Sequence, residues 1–273
     1  MLLLLAFGLL PALYCVYLAF TDANTGAFVG FENFVAISQD FRFLPSVANV
    51  GIYLAVWLIP STILLVWLAM LLHNRAGKSA AFLRAAYYIP GALAGTASVI
   101  VWLFMLTPSV SPLKGGFEAA GLTQIFQVVD PSRLPIVIAL ISFWTGAGGW
   151  VLILYGALTS IDPSLVEAAR LDGANEWQMA RHVKLPLMRK WIGYLIILNL
   201  AAGTQVFVEP QLISTATHGG VATNWAPNQL GYTLAFGYGQ FNQSAALSLE
   251  LLALGLVAAV IIITSTNLFK SDV

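Results

Sequence analysis

Six stretches of this 273-residue chain are apolar enough to cross a lipid bilayer, and no other feature narrows the possible folds so far. They run roughly over 1–20, 48–72, 86–106, 134–158, 191–213 and 244–269. A spanning helix needs about 20 mostly apolar residues to cover about 30 Å of hydrocarbon. Only a helix satisfies its own backbone polar groups in lipid within one segment. The composition agrees: 9% of the residues are charged, where a water-soluble domain carries about a quarter. The reading is an all-α membrane protein with six transmembrane helices in a single domain over 1–273. The opening MLLLLAFGLLPALYCVYLAF lacks the basic start and small-residue cleavage site of a signal peptide, and PALYC lacks the small residues of a lipoprotein site. It is expected to remain as the first span. No basic tail precedes it, so a truncated start and a short one both fit.

Lys and Arg accumulate in the connections on the cytoplasmic side of a membrane. One set of connections holds Arg75, Lys78, Arg84, Arg170, Arg181, Lys184, Arg189, Lys190 and Lys270. The other holds Arg42, Lys114 and Arg133. The first set is therefore expected in the cytoplasm, with both termini and the long 159–190 loop.

Several chemistries find no support. The one cysteine, Cys15, lies in an apolar run, and His73, His182 and His218 are far apart, so no cluster has metal-ligand spacing. The net charge is zero, which gives no electrostatic footprint for nucleic acid. Ala76–Ser79 reads AGKS, but a phosphate loop needs a glycine where Leu72 stands, and a strand before it. His218-Gly219-Gly220 has no nucleophile elbow to serve.

Pro60 and Pro90 fall in or near apolar runs and permit kinks. GALAG, Gly91 to Gly95, has the spacing of small residues that lets helices approach closely within a bundle. The uncharged 214–243 segment carries Trp225, Tyr232, Phe236, Tyr238 and Phe241, and part of it is expected at the outer rim, where aromatic residues suit the headgroups.

The charges concentrate in EAARLDGANEWQMARHVKLP, Glu167 to Pro186. Asp162 followed by Pro163 predicts a helix N-terminus. Gly173 is placed to end that helix in the left-handed conformation. Asn175 with Gln178 three residues on predicts a capping box. Pro186 predicts a stop after Leu185. The result is helix, sharp turn, helix, with Ala168, Ala169 and Ala174 keeping the first helix and the turn thin. The positive-inside rule accounts for the arginines but not for two capped helices around a glycine; such order suits a docking element.

These residues resemble the signature loop of importer permeases of ATP-binding cassette systems: Glu167, Ala168 and Ala169, then Gly173, then Leu185 and Pro186. GFENF at 30–34 after LAFTDAN resembles the first outer loop of the carbohydrate (maltose/glycerol-phosphate) group. FVEPQLISTATHGG at 207–220 is similar to the end of that group's fifth span, although the family usually continues with a Leu-Thr-Gly-Gly-Pro-like sequence. The resemblance covers essentially the whole chain. It implies a type I importer permease fold in a bacterial inner membrane and no enzymatic activity in this chain. It implies as partners a second permease, two ATPase subunits that bind ATP and Mg, and an extracytoplasmic solute-binding protein, and no nucleic acid. The 159–190 loop would be the coupling loop, with Ala174 to Arg181 entering an ATPase groove and Glu167 and Gly173 holding the turn. The solute implied is a carbohydrate, with glycerol 3-phosphate or a related polyol as the alternative. A membrane enzyme or assembly factor with six spans is a rival that leaves the charged loop unexplained.

Ionisable residues inside spans are functional candidates by default. Glu209 and Glu250 are the two here. On a continuous fifth helix Gln205 and Glu209 share a face, flanked by Asn199. Glu209 lining a solute pathway and Glu209 reaching interfacial water both fit this pattern. Trp144 and Trp150 suit either a sugar ring or helix packing.

Overall fold

A computed structural model of the chain describes residues 3, 5–74, 78–93 and 95–265. A π-turn over Leu5–Leu9 leads into α1 (Leu10–Ala19), followed by α2 (Glu32–Ser38) and the long α3 (Phe43–His73). Next come α4 (Lys78–Ala92), α5 (Gly95–Leu106), the short α6 (Lys114–Ala119) and α7 (Ile125–Val128), and α8 (Leu134–Thr159). The charged loop holds α9 (Pro163–Leu171) and α10 (Glu176–Met179), and a π-turn over Ala180–Lys184 runs into α11 (Leu185–Thr204). The chain continues through α12 (Val208–Ala216), α13 (Pro227–Tyr232), a π-turn over Thr233–Gly237, and α14 (Phe241–Ser265).

Four of the described helical runs are long and apolar enough to span: α3, α8, Glu176–Thr204 and α14. A fifth is the third predicted span, which is bent. Ala85–Ala92 and Gly95–Leu106 meet at 101°. Pro90 has no N–H to give the preceding turn, and the glycines beside it have no side chain to hold a straight rod. Of the first predicted span, Leu5–Ala19 is a described apolar run, and Met1, Leu2 and Leu4 lie outside the described residues. Arg75, Ala76, Gly77, Ala94 and Lys270, and 266–269 of the sixth predicted span, lie outside the described residues.

Helices α3 and α8 run parallel and form the centre of the bundle, and the core has two tiers along them. At the end that carries the charged loop, Leu65 and Leu72 of α3 pack with Val151, Leu154 and Leu158 of α8 and with Met188 and Leu195 of α11. At the far end, Tyr53 and Trp57 of α3 pack with Ile138 and Ile141 of α8, Ile213 of α12, and Trp225. Of the aromatics in the 214–243 segment, Trp225 is buried, and its carbonyl accepts from Asn49 Nδ2 at 3.0 Å. Tyr232, Phe236, Tyr238 and Phe241 are exposed.

Helices α4 and α8 meet backbone to backbone. A Cβ on Gly91 would lie 2.8 Å from the Thr145 carbonyl oxygen, and one on Gly148 would overlap the backbone of Tyr87 and Tyr88. Gly91 therefore pairs across the interface with the neighbourhood of Gly148, while Gly95 of the same GALAG pattern meets nothing within 4 Å.

Candidate functional site

Two features stand out at opposite levels of the bundle. The first is the charged loop. Asp162 caps α9, its Oδ1 accepting from the Ser164 backbone N–H at 2.9 Å. That bond holds the Asp162 carboxyl below the ordinary carboxylate range. At the other end of α9, Gly173 N–H donates to Arg170 O and Ala174 N–H to Ala169 O, each at 3.0 Å. This is a Schellman closure, and it needs Gly173 at φ +83. Asn175 and Gln178 then exchange reciprocal bonds of 2.9 Å, the capping box that opens α10. Arg170 Nη2 bridges the turn to Glu176 Oε1 at 3.2 Å. Glu167 and Ala168 are exposed, while Ala169 and Ala174 are half-buried.

Pro186 does not stop the second helix. The π-turn over Ala180–Lys184 carries the chain straight into α11, so Glu176–Thr204 is one helical run with Pro186 within the first two positions of α11. A proline inside an α-helix fails to bond the carbonyl four residues back and clashes with it. The wider i→i+5 turn just before Pro186 shifts that register. Leu185 is half-buried at the join and Pro186 is exposed. The loop also presents large apolar side chains: Leu171 is 89% exposed and Trp177 70%.

The second feature is a cavity of about 400 Å³ at mid-bundle. Its walls are Tyr53 and Trp57 from α3, Ser142, Thr145 and Trp150 from α8, and Asn199 from α11. The predicted continuous fifth span breaks here: α11 ends at Thr204, Gln205 to Phe207 are irregular, and α12 starts at Val208. Gln205 and Glu209 do not share a helical face, yet the break brings both to the cavity, together with Asn199. Glu209 sits in the first turn of α12, where a carboxylate meets the positive end of the helix dipole. Pro210, the third residue of α12, has no N–H for the Val206 carbonyl and so favours a helix start here, and packing across helices adds to it. A Cβ on Gly203 would lie 2.5 Å from Leu54 Cδ2 and 2.8 Å from Trp57 Cζ3, so α3 presses directly on the end of α11.

The polar contacts in the cavity wall cross between helices. Trp150 Nε1–H donates to Asn199 Oδ1 at 3.0 Å, joining α8 to α11. The Tyr53 hydroxyl and Ser142 Oγ lie 2.9 Å apart, joining α3 to α8. The Tyr53 ring stacks on Trp57 with centroids 5.4 Å apart. No Lys or Arg lines the cavity among the described residues. Gln205 and Phe207 also line a larger groove of about 740 Å³ between α11 and α14, which Ser248 and Asn228 border.

The remaining candidates lie elsewhere. Trp144 stands edge-on to Trp102 of α5 at 6.1 Å and does not line the cavity. Glu250 lines neither space; its Oε2 is buried without a hydrogen-bond partner among the described residues. Tyr53, Trp57, Ser142 and Thr145 went unnoticed in the sequence. The only signals were the i,i+4 aromatic pair and the i,i+3 hydroxyl pair, each inside an apolar helix.

A family model described as "Binding-protein-dependent transport system inner membrane component" matches residues 79–270, a stretch that includes the loop and most of the cavity wall. The chain belongs to that family. The permease is thus a multi-pass inner-membrane protein. It is 24% identical over 280 residues to the osmoprotective compounds uptake permease protein GgtC of Synechocystis sp., covering 100% of this chain and 96% of that protein. It is 27% identical over 248 residues to the diacetylchitobiose uptake system permease protein NgcF of Streptomyces coelicolor, covering 86% and 69%. The fold matches a chain in the crystal structure of a bacterial ABC transporter that imports the acidic polysaccharide alginate. The TM-score is 0.83 at 19% identity, over 99% of this permease and 93% of that chain.

Proposed function

We propose that this permease is one of two membrane subunits of an ATP-driven importer and that it carries a neutral, hydroxyl-rich solute, a carbohydrate. A binding protein delivers the solute outside, and two ATPase subunits in the cytoplasm hold the ATP and Mg²⁺. The chain crosses the membrane six times with both termini inside, and the 159–190 loop docks the ATPase through its exposed face. Glu167, Ala168, Ala169, Gly173 and Ala174 shape that face, and Leu185 and Pro186 join it to α11.

The observation that carries the solute class is the cavity. Its polar groups are hydroxyls, amides and one carboxylate, with no cation among the described lining residues. A phosphate ester calls for arginine, lysine or a free helix N-terminus; the one such feature here, the start of α12, already holds Glu209 in its first turn. As an acceptor Glu209 suits sugar hydroxyls, and the Asn199 amide, its oxygen already held by Trp150, has its N–H groups left to donate. Relatives named for starch degradation products, diacetylchitobiose and maltose/maltodextrin support the same class. For the maltose protein, MalF of Klebsiella aerogenes, the match covers 40% of its length.

Uptake by the assembled importer of a glycoside and of glycerol 3-phosphate tests this reading. The glycoside is expected to be preferred. Glu209→Gln is expected to lower its uptake about tenfold, the scale of one charge-assisted hydrogen bond. Glu250→Gln, outside both spaces, is expected to leave it unchanged. Preference for the phosphate ester overturns the solute class.

A further inference from the structure

Lys184 is 4% exposed. Lysine is almost never buried to this degree unless paired, and burying an ammonium costs far more than burying an apolar side chain of similar volume. Folding alone gives no reason for a lysine at this position. Its neighbours in the loop, Arg181 and His182, face solvent.

The π-turn explains how it comes to be buried. Met179, Lys184 and Met188 form the buried stripe of the run from the loop into α11. The spacing of four between the last two is helical. The spacing of five between the first two places residues on different sides of an α-helix, and only the i→i+5 turn over Ala180–Lys184 brings them into line.

The side chain has a specific destination. Lys184 Nζ donates to Asn74 Oδ1 at 2.9 Å, across 110 residues of sequence. Asn74 is the C-terminal cap of α3, and its own N–H closes the last turn onto Met70 O at 3.1 Å. A helix C-terminus carries partial negative charge and favours a cation. Beside it the His73 ring meets Tyr155 of α8 edge-on at 5.9 Å. From Asn74, α3 continues as one helix, with Pro60 inside it, to Trp57 and Tyr53 on the cavity wall, about 25 to 30 Å away at 1.5 Å per residue.

We propose that Lys184 is a positioning residue for coupling: it fastens the loop to the end of α3, so that movement of the loop at the ATPase is delivered through α3 to the cavity wall. This rests on the reading that the loop docks an ATPase. A chain of packed elements joined by directional bonds is the physical means of such transmission. Here the two joints are the Lys184–Asn74 bond and the contact of the Trp57 ring with the end of α11 at Gly203.

The test uses the complete importer, with its ATPase and binding protein, in proteoliposomes. Solute uptake per ATP hydrolysed is measured for the intact protein, Lys184→Met, Asn74→Leu, the double variant, and Asn74→Asp. Each of the first two is expected to lower the ratio about tenfold, with the double variant no worse than either single one, because one shared contact is lost. Asn74→Asp keeps the acceptor and is expected to keep the ratio. An unchanged ratio in Lys184→Met, or additive losses in the double variant, overturns the proposal. So does failure of every variant to assemble, Asn74→Asp included, which makes the contact a folding contact only. An intact complex that contains no ATPase overturns the docking reading first, and this proposal with it.

Discussion

Two interruptions of the helical bundle, the turn at 172–175 and the break at 205–207, are held differently. The turn is exposed, and the bonds that shape it come from within a few residues: Gly173 onto Arg170, Ala174 onto Ala169, Asn175 and Gln178 onto each other. The break has no side-chain cap; Phe207 occupies the N-cap of α12 and contributes none. Gln205 N–H closes the end of α11 onto Ala202 O and Pro210 opens α12, while Gly203 lies against Leu54 and Trp57, residues roughly 150 positions earlier. In lipid, irregular backbone is tolerated only where protein buries it or a cavity lines it, and this break lines the cavity. A connection outside the bundle must satisfy its own backbone, and so its caps are written locally. The break inside the bundle combines a local proline with packing against a neighbouring helix.

The sharpest way to break this contrast is at its two glycines. Gly203→Val is expected to have the larger effect on stability. The branched side chain has no room beneath the Trp57 ring, itself stacked on Tyr53, and overpacking of this kind costs about 1–3 kcal/mol. A melting temperature lower by several degrees in detergent, with loss of uptake, is the expected result; an unchanged melting curve means that α11 ends there for a local reason.

Gly173→Val is expected to act on coupling rather than on the spans. Nothing lies within 4 Å of the added Cβ, so the cost is the positive φ alone, about 1–2 kcal/mol or somewhat more for a branched residue. Binding of the ATPase and solute-stimulated hydrolysis should fall while the melting temperature stays near that of the intact protein. Gly173→Asn, which tolerates the left-handed region, should recover most of the loss. If asparagine and valine behave alike, the turn is not set by backbone conformation.

The smallest effect concerns acid. The folded Asp162 carboxyl titrates below its unfolded value of about 3.9, chiefly because the Ser164 backbone N–H bonds the charged form. Its contribution is therefore complete above about pH 4 and is lost as pH falls through the lower, folded value. The protection of the Ser164 and Leu165 amides, relative to their intrinsic exchange rate at each pH, should fall on acidification below about pH 4, with the protection of the α3 amides unaffected. In Asp162→Asn, which keeps an acceptor but does not titrate, the change should vanish.

Much of the architecture was legible before any coordinates. The apolar runs located α3, α8, α11 and α14, because in lipid a long apolar stretch has hardly any alternative to a helix. Asp162, Gly173, Asn175 and Gln178 gave the loop to the residue, because capping is a short-range exchange between a side chain and the backbone beside it. Pro186 misled, since the wider turn that accommodates it has no sequence signature. Asn199, Gln205 and Glu209 were rightly grouped but for the wrong geometric reason: a helical face that does not exist, replaced by a break that does the same work.

The tertiary structure alone decided which polar groups meet. Trp150 bonds Asn199, Tyr53 pairs with Ser142, and Lys184 reaches Asn74, over separations of 49, 89 and 110 residues. No local pattern encodes such pairs, since each depends on the register in which two helices pack. Small residues help fix such registers: Gly91 and Gly148 let the backbones of α4 and α8 close, and Gly203 lets α11 close on Leu54 and Trp57 of α3. Hydropathy and capping are properties of neighbouring residues and can be read along the chain. Contact between helices is a property of shape, and it exists only once the chain has folded.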